Sequence, residues 1–118
     1  MSIIPPEILP DMRRSAAIFA ALGDETRLRL VVALGAGGAM SIARLTAGSA
    51  MTRQAVTKHL LVLAGAGLVH DIKAGRERLW QVEPAQVELA RRSLESIEQQ
   101  WDHALLKLKA AFEVQSPA

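Results

Sequence analysis

Cysteine is missing from this 118-residue sequence, which excludes disulfide bridges, thiolate metal sites and thiol-based redox sensing. Aromatic residues are few, namely Phe19, Trp80, Trp101 and Phe112. Half of the residues are nevertheless hydrophobic. We therefore expect a core built mainly from aliphatic side chains on helices.

Long apolar runs are also missing. No stretch approaches the roughly 20 apolar residues that a membrane-spanning helix needs. The first residues, Met-Ser-Ile-Ile-Pro-Pro, lack the basic region and apolar stretch of a signal peptide. We therefore expect a cytoplasmic protein with one domain at 11–114, flanked by tails at 1–10 and 115–118.

Acidic residues are missing from the middle of the chain. There is none between Glu25 and Asp71, where five basic residues lie: Arg27, Arg29, Arg44, Arg53 and Lys58. From Glu83 onward acidic residues outnumber basic ones. The formal net charge is only +2, so the total charge says little. The distribution of charge indicates that the acid-free middle of the chain is suited to bind a polyanion.

Residues 52–64 carry the clearest helical pattern. Val56, Leu60 and Leu63 follow at intervals of four and three residues, which places them on one face of a helix. Thr52 suits the N-cap, and Gly67 suits the C-terminal stop. The opposite face is predicted to carry polar side chains without a carboxylate: Arg53, Gln54, Thr57 and Lys58. Such a face suits the major groove of DNA, because it offers donors to base edges and cations to phosphates.

After Gly67 the pattern changes to that of two short strands, at 68–73 and 78–82. Gly75 supplies the positive φ that a tight hairpin turn requires. The hairpin carries three basic residues: Lys73, Arg76 and Arg78. A helix followed at once by a basic hairpin is typical of the winged helix-turn-helix fold.

Two helices are predicted near the start of the chain, before the helix at 52–64 and the hairpin. Asp11 is the expected N-cap of the first, which runs to about Leu22. Asp24 is the expected N-cap of the second, at about 25–34. Because apolar residues lie on most sides of this second helix, we expect it to be central to the core.

A short third helix is predicted at about 42–47, with Ser41 as its N-cap. Together with the helix at 52–64 it fits the helix-turn-helix plan. The predicted fold class is therefore mainly α with a small β-hairpin.

The last segment, at about 84–114, is predicted to be one long helix. Apolar positions recur along it in alternating steps of three and four, as in a coiled coil. At about 1.5 Å per residue the helix would be roughly 45 Å long, which exceeds the diameter of so small a domain. We therefore expect a homodimer that associates through its terminal helices. The expected interface residues are Ile18, Leu22, Leu94, Ile97, Trp101, Leu105 and Leu108.

Three stretches resemble the ArsR family of bacterial winged-helix repressors. They are Phe19-Ala-Ala-Leu-Gly-Asp-Glu-Thr-Arg-Leu-Arg-Leu, Thr52-Arg-Gln-Ala-Val-Thr-Lys-His-Leu-Leu-Val-Leu-Ala-Gly-Ala-Gly-Leu-Val and Gly75-Arg-Glu-Arg-Leu-Trp. Each alone is a weak pattern, but the three in this order and spacing are strong. A fourth stretch, Trp101-Asp-His-Ala-Leu-Leu-Lys-Leu, is similar to a family branch with a Trp followed by spaced leucines. The resemblance covers about 17–108.

Membership of this family implies a homodimeric repressor with five or six helices and a wing, which binds an imperfect palindrome in a promoter. The best-known members are released from DNA by metal ions. This sequence has Ser41 and Ala43 where their third helix carries two cysteines. The other frequent site needs a histidine after the pair Asp102-His103, and none follows. We therefore expect that the chain does not use the usual cysteine site and has no cofactor. The effector is unknown, and three alternatives stay open for the signal: an organic ligand, a metal at a non-standard site, or none.

Eight residues are predicted to contact DNA. Gln54 suits adenine because its amide both donates and accepts, and Arg53 suits guanine or phosphate. At the wing, Arg76 is expected to enter the minor groove or lie along its phosphates. The full predicted set is Thr52, Arg53, Gln54, Thr57, Lys58, Lys73, Arg76 and Arg78.

The sequence also bears on two other classes of function. An enzyme is not expected, because no nucleophile–base arrangement, phosphate loop or pair of carboxylates emerges. The alternative is a dimeric winged-helix module that binds another protein instead of DNA. His59 is expected to be a hydrogen-bonded residue at the edge of the core rather than a metal ligand.

Overall fold

Five α-helices and three β-strands form the part of the chain that the computed structural model describes, residues 9–115, with side chains described for 12–113. The predicted tails at 1–10 and 115–118 lie outside this part except for residues 9, 10 and 115. The elements are α1 (Leu9–Leu22), α2 (Glu25–Gly37), β1 (Met40–Ser41), α3 (Ile42–Thr46), α4 (Arg53–Gly65), β2 (Val69–Ala74), β3 (Glu77–Val82) and α5 (Pro84–Gln115). The predicted fold class, mainly α with a small hairpin, is confirmed.

Side-chain caps fix the starts of α2 and α3, as predicted. The Asp24 carboxylate accepts a hydrogen bond from the Arg27 backbone N at 3.0 Å, and this bond lowers the pKa of Asp24. The cap therefore stabilises α2 at neutral pH, and this stabilisation is lost when acid protonates the carboxylate below the ordinary aspartate pKa. Ser41 Oγ accepts from the Arg44 backbone N at 3.2 Å in the same way.

The start of α1 differs from the prediction. The helix begins at Leu9, so Asp11 lies inside it and is not its N-cap. Pro10 is compatible with this earlier start, because a residue in the first turn needs no backbone N–H. Ile18, which we expected at a dimer interface, is 0% exposed within the single chain. It therefore belongs to the core and has no surface left for a partner.

The second helix is less central than predicted. Leu30 and Leu34 are buried, but Leu28 and Val32 are 48% and 64% exposed. Residues four apart share a face, whereas residues two apart lie on nearly opposite sides of a helix. Only one side of α2 therefore faces the core. The helix also continues to Gly37, so Gly35 weakens it without breaking it.

The core lies where α1, α2, α4 and the first turns of α5 meet the sheet. Its largest fully buried side chains are Ile18, Leu34, Val56, Leu60, Leu63, Leu68 and Trp80. Among these only Trp80 is aromatic, as the composition predicted. From α3 and the turn after it, Ile42, Leu45 and Met51 pack against this core, which fixes α3 beside α4.

The sheet has one strand more than the sequence predicted. Its order is β1-β3-β2, and all pairing is antiparallel. The missed strand β1 pairs Met40 with Trp80 and Ser41 with Leu79. Ser41 thus ends a strand and caps α3 at once, so the wing is joined directly to the helix-turn-helix.

The long helix α5 has 32 residues, about 48 Å at 1.5 Å per residue. The radius of gyration is 19.9 Å, well above the 13 Å or so of a compact 100-residue domain. Its second half therefore extends beyond the body of the single chain. None of the described helices is long and apolar enough to cross a membrane.

Candidate DNA-binding interface

Helix α4 is held in the body by its apolar face and presents its polar face outward. Val56, Leu60 and Leu63 are buried, at 2%, 0% and 0% exposed, so the predicted spacing is confirmed. Burial of side chains of this size stabilises by about 1.5–3 kcal/mol each. The helix therefore sits in the body in one orientation and can present the opposite face to a ligand.

The outward face of α4 carries exposed donors and cations. Arg53, Gln54 and Lys58 are exposed, whereas Thr57 is half-buried. The Thr57 hydroxyl donates to the Arg53 backbone O at 2.8 Å, so its proton is already used within the helix. α4 contains no carboxylate. The part of this face between Arg53 and Lys58 therefore attracts an anion.

Sequence reasoning missed Leu61 on this surface. Leu61 is 56% exposed, and it follows Lys58 by three residues and Gln54 by seven. These intervals put all three side chains on one face. The helical spacing places Leu61 on this face already in the sequence. A single exposed leucine is common on protein surfaces, however, so it does not by itself indicate a binding residue.

The first turn of α4 is fixed by Thr52. Its side chain accepts a hydrogen bond from the Ala55 backbone N at 3.1 Å, which confirms the predicted N-cap. Gly48, with φ +72°, turns the chain between α3 and this cap. Gly67, with φ +75°, follows the helix, and a Cβ there would lie 2.6 Å from Gln86 Nε2. The Gln86 amide is the end of a flexible side chain and can move, so it is the positive φ that favours glycine at position 67.

We expect Thr52→Ala to lower the free energy of unfolding by about 1 kcal/mol, because one backbone N–H of α4 loses its side-chain acceptor. Urea denaturation followed by circular dichroism measures this change. Thr52→Ser is the matched control, since serine keeps the hydroxyl. A serine variant that loses as much stability as the alanine variant would contradict a role for the cap.

A polar link missed by sequence reasoning holds α4 against the start of α2. Arg27 Nε donates to the Ala21 backbone O at 2.6 Å, and Arg27 Nη1 lies 3.5 Å from His59 Nδ1. The same His59 nitrogen is 3.8 Å from Asp24 Oδ2. His59 is thus a partly buried, hydrogen-bonded residue at the edge of the core, as predicted. The pairing joins residues more than 30 positions apart, so no local sequence pattern reveals it.

The wing ends in a two-residue turn, Gly75-Arg76. Gly75 has φ +64°, whereas no non-glycine residue in the described part of the chain has a positive φ. A positive φ at the first central position alone is the pattern of a type II′ hairpin turn. Arg76 is exposed at the tip, where the prediction placed it.

The other two predicted wing cations differ in their surroundings. Lys73 and Arg78 are directly opposite in the hairpin and share a face. Arg78 donates to the Asp71 carboxylate, lowers the pKa of Asp71, and lies 5.6 Å from the centre of the Trp80 ring. Lys73 forms no salt bridge with any described residue. Arg78 is therefore partly neutralised, and Lys73 and Arg76 supply the open charge of the wing.

The described residues offer no metal site of three or more ligands. His70 Nδ1 lies 3.2 Å from Glu83 Oε2, and His70 Nε2 lies 2.7 Å from Gln81 Nε2. These contacts hold the three side chains together on the sheet. Only two of them, the imidazole and the carboxylate, are groups that ligate metals well.

The predicted dimer residues of α5 form an exposed apolar stripe. Leu94, Ile97, Trp101, Leu105 and Leu108 are each between 47% and 65% exposed in the single chain. Phe112, 69% exposed, continues the stripe by the same spacing. We call these six residues the α5 seam. Leu22 of α1 is half-buried and packs against the core.

No protein-family model matches the chain, but known proteins do. An HTH-type transcriptional regulator from Mycobacterium tuberculosis is 36% identical over 85 residues, which are 72% of this chain and 76% of that protein. The structure of an ArsR-like transcriptional regulator from Rhodococcus sp. RHA1 is similar with a TM-score of 0.75 and 33% identity. That likeness covers 93% of this chain and all of the other.

A more distant structure shows the same fold. It is the homodimeric winged helix-turn-helix DNA-binding domain of a possible ArsR-family regulator from Mycobacterium bovis. Its TM-score is 0.62 at 17% identity, over 87% of this chain and 95% of that one. The relatives are transcriptional regulators and not enzymes. The chain therefore belongs to the ArsR family and is a DNA-binding transcriptional regulator with the winged helix-turn-helix fold.

Proposed function

We propose that the chain is a homodimeric repressor that binds a palindromic promoter site. The observation that carries this proposal is the exposed face of α4, which is firmly seated, capped by Thr52 and free of carboxylates. An α-helix fits the major groove of B-form DNA, where each base pair presents a distinct pattern of donors and acceptors.

On α4, four residues contact the DNA in this proposal. Gln54 pairs with adenine through its amide, and Lys58 neutralises a phosphate. Leu61 continues the same face with an apolar surface that matches a thymine methyl group. Arg53, at the first turn, is within reach of guanine or of the backbone. This arrangement reads a short half-site.

The wing adds affinity more than specificity. Arg76 at the tip reaches the minor groove, whose narrow A·T-rich stretches attract arginine. Lys73 lies along the adjacent phosphates. Arg78 keeps its bond with Asp71 and acts mainly by supporting the hairpin beneath Lys73.

The α5 seam is the surface on which the second protomer packs in this proposal. Two copies that bury the seam against each other would be related by a two-fold axis, and the two α4 helices would then face half-sites about one helical turn apart. The Mycobacterium bovis domain is a homodimer with the same fold, which supports a homodimeric state. A dimer that occupies a promoter in this way would exclude RNA polymerase, hence repression.

We expect Gln54→Ala to relax base preference at one position in each half-site, because the amide that pairs with adenine is lost. Selection of bound duplexes from a randomised pool, followed by sequencing, measures the preference. Gln99→Ala on the exposed part of α5 is the matched control and should leave the profile unchanged. A Gln54→Ala profile identical to the wild-type profile would refute the assignment of Gln54.

A further inference from the structure

The two faces of the hairpin differ in their surroundings. Asp71 is paired with Trp80 in the register of β2 and β3. Lys73 and Arg78 form the next pair on the same face, because side chains alternate along a strand. Trp80 is 1% exposed and belongs to the core, and β2 contacts α4. This face, which we call the inner face of the wing, therefore turns toward the helix-turn-helix.

Arg78 is held at two points on the inner face. Its Nε donates a hydrogen bond to the Asp71 carboxylate, and its guanidinium carbon lies 5.6 Å from the centre of the Trp80 ring. The hydrogen bond is the main reason why the pKa of Asp71 lies below its ordinary value. Asp71 is therefore ionised at neutral pH, and its charge compensates that of the guanidinium.

The salt bridge between Asp71 and Arg78 is open to solvent. The side chains of Arg78 and Asp71 are 64% and 39% exposed, and salt bridges with such exposure usually add little to the stability of a fold. The backbone pairing of β2 with β3 continues along the whole hairpin without it. Loss of the Asp71 charge should therefore leave the wing folded while it releases the guanidinium of Arg78.

A released Arg78 would reach the phosphates beside Lys73. The two residues are directly opposite in the hairpin, where Cβ atoms are about 4.5–5.5 Å apart. The proposed function places Lys73 along phosphates, and Lys73 forms no salt bridge with any described residue. Guanidinium groups bind both carboxylate and phosphate oxygens through charge-assisted hydrogen bonds. Asp71 and a DNA phosphate therefore compete for one guanidinium.

We propose that Asp71 limits the affinity of the wing for DNA by holding Arg78 away from the phosphates. The wing then offers two open cations, Lys73 and Arg76, instead of three. Phosphate contacts strengthen specific and nonspecific binding alike, so one contact fewer in each protomer lets the dimer leave any duplex more readily. Asp71 can act in this way only if the wing contacts DNA, and the proposal therefore rests on the proposed function.

Asp71→Asn is expected to bind a duplex of arbitrary sequence about tenfold more tightly than the wild type in dilute buffer. The slope of log affinity against log salt should become steeper by about one per protomer, because the released guanidinium displaces a further counterion. Fluorescence anisotropy of a labelled duplex of about three helical turns, titrated with the full-length protein at several salt concentrations, measures both quantities. Asp71→Ala, which also removes the oxygen that accepts from Arg78, should gain at least as much.

Two controls separate the release of Arg78 from the simple loss of an acidic residue. Glu77 is also exposed and lies nearer the tip of the wing, but as the strand neighbour of Arg78 it lies on the opposite face. Glu77→Gln removes the same charge and should change the affinity by less than about twofold, with the salt slope unchanged. In a protein that already carries Arg78→Gln, the change Asp71→Asn should also gain less than about twofold, because no guanidinium is left to release.

Unchanged or weaker binding by Asp71→Asn, with its circular dichroism kept, would overturn the proposal. Weaker binding would mean that Asp71 orients Arg78 toward DNA instead of withholding it. A similar gain in Glu77→Gln, or in the Arg78→Gln background, would also overturn it, because the gain would then not come from Arg78. If the wild type binds the duplex but Asp71→Asn shows no gain, only this proposal fails. If neither protein binds any duplex in dilute buffer, the proposed function fails with it.

Discussion

Leu105→Glu is expected to convert the protein into a monomer and to lower its affinity for a palindromic duplex by at least about 100-fold. Leu105 is 58% exposed at the middle of the α5 seam. In a two-fold dimer one substitution places two carboxylates in the interface, and each loses hydration there without gaining a partner. The dimer also holds its second α4 near the second half-site, and a monomer loses this high effective concentration.

Leu106→Glu is the matched control for this prediction. Leu106 is 65% exposed, as open to solvent as Leu105, but it lies 100° further around the helix and off the seam. Both variants gain the same charge at neighbouring positions. Sedimentation velocity at micromolar concentration should show a monomer for Leu105→Glu and a dimer for Leu106→Glu. If both variants stay dimeric, or both dissociate, the seam is not the interface.

The helices with a local pattern could be predicted from the sequence. In α4 the cap Thr52, the buried stripe and the closing Gly67 are all encoded within a few residues. The long α5 was predicted nearly to its bounds for a similar reason: Pro84 opens a segment free of glycine and proline. Where capping, periodicity and turn residues agree, the local sequence determines the element.

Other features depend on tertiary contacts and could not be predicted. The strand β1 has only two residues and exists because it pairs with β3, some 40 residues away in the chain. Arg92 and Ser15 share a cleft because two distant helices pack together. In α2 the sequence shows five large apolar residues close together, at 28, 30, 31, 32 and 34, but only contact with the rest of the body selects Leu30 and Leu34 for burial. Tertiary contacts also decide the position of Ile18, which has the spacing of an interface residue but is buried in the core.

Lys58→Glu is expected to weaken binding to all duplexes by about 100-fold, specific and nonspecific alike. Lys58 is exposed on the carboxylate-free face of α4, where the proposal gives it a phosphate. Reversal of this charge removes an attraction and adds a repulsion in each protomer, so a dimer experiences the change twice. The base contact of Gln54 is untouched, and the order of preference among duplexes should therefore be preserved.

Salt dependence separates this electrostatic effect from a change in fold. The neutral variant Lys58→Ala should lose less affinity than Lys58→Glu, and its slope of log affinity against log salt should fall by about one per protomer, because fewer counterions are released. Lys109→Glu, the same charge change on α5, should bind DNA nearly as the wild type does. If instead the wild type binds no duplex even in dilute buffer, α4 is not a DNA-reading helix in this chain. The winged helix would then be better interpreted as a platform for another protein, because an acid-free face with Leu61 and Val62 exposed beside it also suits an acidic polypeptide.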